Sequence, residues 1–179
     1  MATSTLLTID DFERLPAEMA ENHELVNGEL VDVSGNTPEH IYIRDYFFEL
    51  VAPLVRQHRL GKVCTEQEYD FLGNAHGPDV SFYGIEKVPF VQRKRRVQRF
   101  VPDLAVEIAS QSDTYEGLLA KKQRYLDAGT KEVWLISPET REIAIFPQGR
   151  ILRGCDELST PLIPGFLITV DRFFEGALA

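Results

Sequence analysis

Cysteine is scarce in this chain: its 179 residues contain only Cys64 and Cys155. Neither has a CxxC partner, so neither a disulfide framework nor a thiolate zinc site is suggested. A reduced, cytoplasmic setting is the expectation. Long hydrophobic runs are missing as well. No apolar stretch approaches the ~20 residues that span a bilayer, and no basic segment leads into an apolar one at the N-terminus. No membrane partner is therefore expected. Linkers, repeats and low-complexity stretches are absent too, so residues 1–179 are read as one domain with a proper core. Basic charge is in short supply: 19 Lys and Arg face 28 Asp and Glu, for a net charge of −9 at pH 7. Such a chain repels phosphate backbones unless its cations are clustered. One cluster exists, Arg93, Lys94, Arg95 and Arg96, with Arg99 just beyond. It reads either as a solvated hairpin tip or as a patch that contacts nucleic acid.

What is present divides into short periodic segments. Residues 8–20 have the pattern of a short helix, with Thr8 or Asp10 as cap and Phe12, Leu15 and Met19 as its apolar stripe. His23 to Val33 reads as a hairpin around Asn27-Gly28, the preferred pair where both turn residues need positive φ. Thr37-Pro38 opens a helix whose apolar positions run from Ile43 to Val55, and Pro53 should kink or fray it. Two-residue alternation from Val63 to Phe71 predicts one strand, and 79–83 and 102–109 two more. A helix from Ser112 or Asp113 to Ala128, stopped by Gly129, is followed by strands at 132–136 and 142–146. Residues 161–166 read as an irregular loop and 171–176 as a short terminal helix. One mixed sheet flanked by helices, with a hairpin in front, is the architecture this order implies.

The chemically unusual residue is Glu107, a carboxylate inside the apolar strand Pro102–Ala109, where burial demands a compensating cation or hydrogen bonds. Alternation puts Asp103, Ala105 and Glu107 on one face and Leu104, Val106 and Ile108 on the other. Asp103 and Glu107 lie roughly 13 Å apart along the strand, too far to share one ion. Asp79, at the start of another strand, can reach Glu107 if the register allows. Two carboxylates, a main-chain carbonyl and waters suit Mg²⁺, which orients phosphate and makes water easier to deprotonate. A nearby lysine would stabilise developing charge. Duller readings stand beside these: Asp103 as a hydrogen-bonding residue at strand entry, Asp79 as a turn residue, and Lys121 or Lys122 lying along apolar surface. Helical projection sets Lys122 near the centre of the stripe Tyr115, Leu118, Leu119 and Leu126, and Lys121 at its edge.

Taken together, these motifs resemble the PD-(D/E)XK nuclease superfamily, the restriction-endonuclease-like fold, and within it the bacterial Uma family. The resemblance rests on Glu24-Leu-Val-Asn-Gly-Glu29, His40, Pro78-Asp79-Val80 and Pro102-Asp103-Leu104-Ala-Val-Glu107. It continues through Ser110-x-Ser112, Lys121 and Tyr125, Gly129, Glu132-x-Trp134 and Ile163-Pro-Gly-Phe166. It implies a mixed α+β fold with Asp79 and Glu107 as metal ligands. Ala109 stands where the family's lysine would follow the glutamate, and the pattern moves that role to Lys121. Asp79, Glu107, Lys121 and His40 are then the catalytic set, with Glu24, Glu66, Asp103 and Lys122 as accessory candidates. Arg93, Lys94, Arg95 and Arg96 would bind nucleic acid. The implied activity is Mg²⁺- or Mn²⁺-dependent hydrolysis of DNA. The competing reading is a catalytically silent nuclease-like fold that binds nucleic acid or mediates oligomerisation. The aromatic-rich segment Ile41–Phe48 exceeds the needs of one helix face, which makes a homodimer or larger assembly the expectation.

Overall fold

The computed structural model describes residues 6–33, 36–111 and 113–179. Helix α1 (Ile9–Arg14) opens with a capping box, in which Thr8 and Asp11 each accept from the other's backbone N–H. The single helix expected over 8–20 is two. Leu15 precedes Pro16 and is forced extended, so a separate turn, α2 (Ala17–Ala20), follows. Met19, expected in the apolar stripe, is exposed. Strands β1 (His23–Val26) and β2 (Glu29–Asp32) form the expected hairpin, with φ of 52° at Asn27 and 83° at Gly28.

Helix α3 (Pro38–Gln57) is capped by Thr37 and runs through Pro53 to its expected length, burying Ile43, Phe47, Val51 and Val55. The strand expected over 63–71 is two strands, β3 (Gly61–Thr65) and β4 (Glu68–Phe71). Between them Glu66 takes φ 53°, and the chain passes from one sheet to another. Then come β5 (Asn74–His76), β6 (Val80–Gly84), a 3₁₀ turn (Ile85–Phe90), β7 (Val97–Gln98) and β8 (Leu104–Ile108). Helix α4 (Tyr115–Asp127) starts at the Thr114 cap and ends before Gly129, whose φ is 104°. Ser112, one proposed start of this helix, lies outside the described residues. The chain closes with β9 (Glu132–Ser137), β10 (Glu142–Phe146), β11 (Arg150–Arg153), β12 (Glu157–Ser159), β13 (Leu167–Thr169) and α5 (Val170–Ala177).

Mixed α+β architecture is what the sequence implies, but the described strands fall into three sheets rather than one. The central sheet is six-stranded, in the order β11-β10-β9-β8-β6-β3, with only β8 and β9 parallel. A five-stranded sheet, β2-β1-β5-β4-β7, carries the hairpin, and β12 pairs with β13. One face of the central sheet buries Leu104, Val106 and Ile108 against Phe47, Trp134 and Phe166. On the other face Ala105 packs with Tyr69, Phe71 and Tyr125, residues of β4 and α4. The alternation read along β8 therefore holds, and Glu107 belongs to this second face. It lies at the seam between the central sheet, α4 and the five-stranded sheet.

Candidate active site

Strands β6 and β8 are antiparallel neighbours with Val80 opposite Val106. Continuing that register by one residue sets Asp79 opposite Glu107. Directly opposed residues on antiparallel strands are separated by roughly 5 Å at Cα and point to the same face. The Asp79 carboxylate crosses to β8 and accepts from the Ile108 backbone N–H at 2.7 Å. Its Oδ2 also lies 3.2 Å from His40 Nε2, brought in by the first turn of α3. Thr37 Oγ1 accepts from the His40 backbone N–H, so the helix cap fixes the residue that supports Asp79. Burial disfavours a charged His40 ring, but Asp79 outweighs it and raises the pKa. His40 Nδ1 is buried without a hydrogen-bond partner.

Glu107 is buried and twice bonded. Tyr125 donates its hydroxyl to Oε1 at 2.7 Å, and Lys121 Nζ donates to Oε2 at 3.0 Å. Lys121 and Tyr125 are four residues apart on α4 and therefore share a helix face. Lys121 Nζ also meets Glu24 Oε1 at 3.1 Å, joining β1 of the second sheet to β8 of the first. Burial pushes the Glu107 pKa up to about 8, helped by Asp79 and Glu24 and opposed by Lys121. Burial also works against charge on Lys121, but Glu107, Glu24 and Asp79 outweigh it and hold the ammonium charged well above the usual lysine range. Glu24 is carried down to about 2, because Lys121 and His76 overcome the cost of its burial.

Three carboxylates thus crowd one ammonium. Among the described residues no group of three or more His, Cys, Asp or Glu side chains is arranged to hold a metal ion. The opposed pair Asp79 and Glu107 nevertheless has the donor chemistry of a hard divalent cation, which takes carboxylates and completes its shell with main-chain oxygen and water.

Residues 9–171 match the family model described as "Uma2: Putative restriction endonuclease". The chain belongs to the Uma2 family. Its fold is similar to that of a solved protein titled as a putative nuclease belonging to DUF820 from Anabaena variabilis ATCC 29413. The two share 20% sequence identity with a TM-score of 0.84, over 96% of this chain and 99% of that one. No curated protein matches the sequence.

The remaining sequence candidates of this Uma2 chain divide clearly. Glu24 joins Glu107 through Lys121, and His40 joins Asp79 opposite them on the next strand. Glu66 stands nearby: its backbone N–H donates to the carbonyls of Pro78 and Asp79, and its carboxylate takes Arg44 of α3. Asp103 is elsewhere, at the other end of β8, where Lys87, Lys131 and the Gly84 N–H satisfy it. Lys122 turns away from Glu107 and sits 4.7 Å from the Phe146 ring centre. Arg96 is spent on structure, pairing with Glu68 at 2.5 Å and bonding the Ala20 carbonyl. Arg95 pairs with Asp10 and Glu13, while Arg93 and Lys94 are exposed. Of the Ser110-x-Ser112 motif, Ser110 bonds Asp113 and Ser112 lies outside the described residues.

Sequence reasoning gave no site role to His76, Arg124 or Arg44, and knew Tyr125 only as a motif position. His76 lies three residues before Asp79 and Arg124 three after Lys121, spacings that carry no signal until the strands are paired. No described helix is long and apolar enough to cross a membrane.

Proposed function

We propose that this Uma2 chain is a Mg²⁺- or Mn²⁺-dependent endonuclease that hydrolyses phosphodiester bonds in DNA. The observation that carries the reading is Lys121 held between Glu107 and Glu24, with Asp79 opposed to Glu107 on the next strand. A buried surplus of carboxylate with one charged lysine suits a cation and a phosphate together, whereas it makes poor sense as packing. The family description and the nuclease title of the similar structure point the same way.

Asp79 and Glu107 would hold the ion. When bound, it supplies positive charge to the phosphoryl oxygens and makes water easier to deprotonate. Asp79 is oriented by His40 and by the Ile108 N–H. Tyr125 fixes one oxygen of Glu107. Lys121 remains charged and steadies the scissile phosphate as negative charge develops on it. Glu66 with Arg44 assists from the side. Arg93 and Lys94, both exposed, contact backbone phosphate.

A second reading has one observation in its favour. Arg95, Arg96 and Arg99 are neutralised by Asp10, Glu13, Glu68 and Asp70 in a chain of net charge −9, which suits a silent binding or oligomerisation module. Incubation with supercoiled plasmid separates the two. Wild type should nick and linearise it with Mg²⁺ or Mn²⁺ and not with EDTA. Glu107→Gln and Asp79→Asn should abolish cleavage while the fold survives. Lys121→Ala should slow turnover by about a hundredfold with metal binding retained. Full metal-dependent cleavage by Glu107→Gln would refute the assignment. A wild type that binds neither metal nor DNA would favour the silent module.

The working form in this reading is a cytoplasmic homodimer. Within one chain Phe47 enters the core and Tyr46 packs on Phe173, but Tyr42 of the same helix is 56% exposed and open to a second copy.

A further inference from the structure

Glu24 has a second set of partners beyond Lys121. Strands β1 and β5 are antiparallel with Leu25 opposite Ala75, and the next step of that register sets His76 opposite Glu24. His76 Nδ1 lies 2.8 Å from Glu24 Oε2, and the Gly77 N–H donates to Oε1 at 3.1 Å. On its far side, His76 Nε2 lies 2.9 Å from a terminal nitrogen of Arg124. A guanidinium carries only donors and does not lose its proton in proteins. Nε2 must therefore accept, and the ring proton must sit on Nδ1, from which it is donated to Glu24. Burial, the largest influence on this ring, also favours its neutral form.

The result is a closed loop built on one turn of α4. Lys121 reaches Glu24 directly, and Arg124, three residues on, reaches the same carboxylate through His76. The His76 ring packs against both members of the stacked pair Phe71, at 6.0 Å, and Tyr125, at 5.6 Å, and Tyr125 is itself the hydroxyl donor to Glu107. We propose that Arg124 and His76 are positioning residues, a relay through an uncharged imidazole that fixes the Glu24 carboxylate so that it holds Lys121 Nζ against Glu107. Neither touches the reacting phosphate. Arg124 polarises the imidazole, the imidazole anchors Oε2, and Oε1 remains aimed at the lysine. The inference rests on the nuclease reading for its effect on turnover, but the relay itself does not.

Phenylalanine at position 76 keeps the ring packing and deletes both hydrogen bonds, whereas glutamine offers one donor and one acceptor. With plasmid and Mg²⁺ saturating, His76→Phe should lower kcat by about ten- to a hundredfold, the range seen when an outer partner of a site ligand is lost. KM for DNA should stay within about threefold, and His76→Gln should recover part of the loss. Arg124→Gln should behave like His76→Phe. In a Lys121→Ala background, His76→Phe should add nothing, because its effect runs through that lysine. Full additivity would overturn the proposal in favour of a purely structural role.

Nitrogen NMR on the metal-free protein reads the relay without any catalysis. His76, assigned by comparison with His76→Phe, should show the neutral Nδ1–H tautomer at neutral pH. The Lys121 ammonium should give a protected signal that His76→Gln keeps and His76→Phe loses. An Nε2–H tautomer, an imidazolium, or a Lys121 signal indifferent to His76→Phe would overturn the relay. If wild type cleaves no DNA but these spectra appear as expected, the nuclease reading fails and the relay stands.

Discussion

Glu24 and Glu107 share one lysine yet are driven in opposite directions. Glu24 gathers enough donors to overcome its burial and falls to about 2, whereas burial prevails at Glu107 and lifts it to about 8. The consequences for stability have opposite signs. Glu24 contributes stability that is present above its ordinary pKa near 4.5 and is lost as pH falls towards 2. Glu107 is protonated more readily in the folded than in the unfolded chain. Metal-free protein should therefore lose stability as pH rises from about 4.5 through 8, by an amount on the order of a few kcal/mol. Thermal melts at intervals from pH 5 to 9 check this. Glu107→Gln should flatten the decline, and a wild-type curve that rises across that interval would contradict the account. Glu107 was legible in the sequence because a carboxylate inside an apolar strand has to be explained. The choice between Lys121 and Lys122 was not legible from helical projection, which centres on the apolar stripe. In the structure α4 instead turns Tyr125 and Lys121 inwards and leaves Tyr115 exposed.

Among elements, those with strong end signals were readable. The Asn27-Gly28 hairpin, the Thr37-Pro38 helix start and the Gly129 stop all stand where turn and cap chemistry put them. The errors came where tertiary context overrode local pattern. Pro53 does not fray α3, whose buried face continues to Val55. The break between β3 and β4 depends on Glu66 at positive φ, a conformation a non-glycine residue seldom announces. The short strands β5 and β7 carry too few residues for a period, and with them went the register that brings His76 to Glu24. The basic segment also divides at this scale. Arg96 ties α2, β1 and β4 together through Ala20, His23 and Glu68 and covers the Phe12 ring at 4.5 Å. Arg96→Ala should cost about 2 kcal/mol in urea denaturation. Reversing both Arg93 and Lys94 should leave stability within about 0.5 kcal/mol. The same double reversal should weaken DNA binding and flatten its dependence on salt, read by titration at several salt concentrations. Unchanged binding would remove this loop from the nucleic-acid interface.

For the whole molecule, acidity and fold make different demands. A net charge of −9 opposes DNA at long range, so any productive contact has to be local. A second copy could add contacts that one chain lacks. Light scattering at micromolar concentration should give twice the 20.3 kDa of a single chain, and a monomeric mass would end the dimer reading. The fold shared with a nuclease-titled protein at 20% identity establishes architecture, while chemistry has to be argued from the site. That chemistry reduces to whether Asp79 and Glu107 take one divalent ion between them. Anomalous diffraction from crystals soaked in Mn²⁺ asks this directly. A single strong peak is expected roughly 2 Å from oxygens of both carboxylates. Empty density between Asp79 and Glu107 at saturating Mn²⁺, with Lys121 still bonded to Glu107, would contradict it.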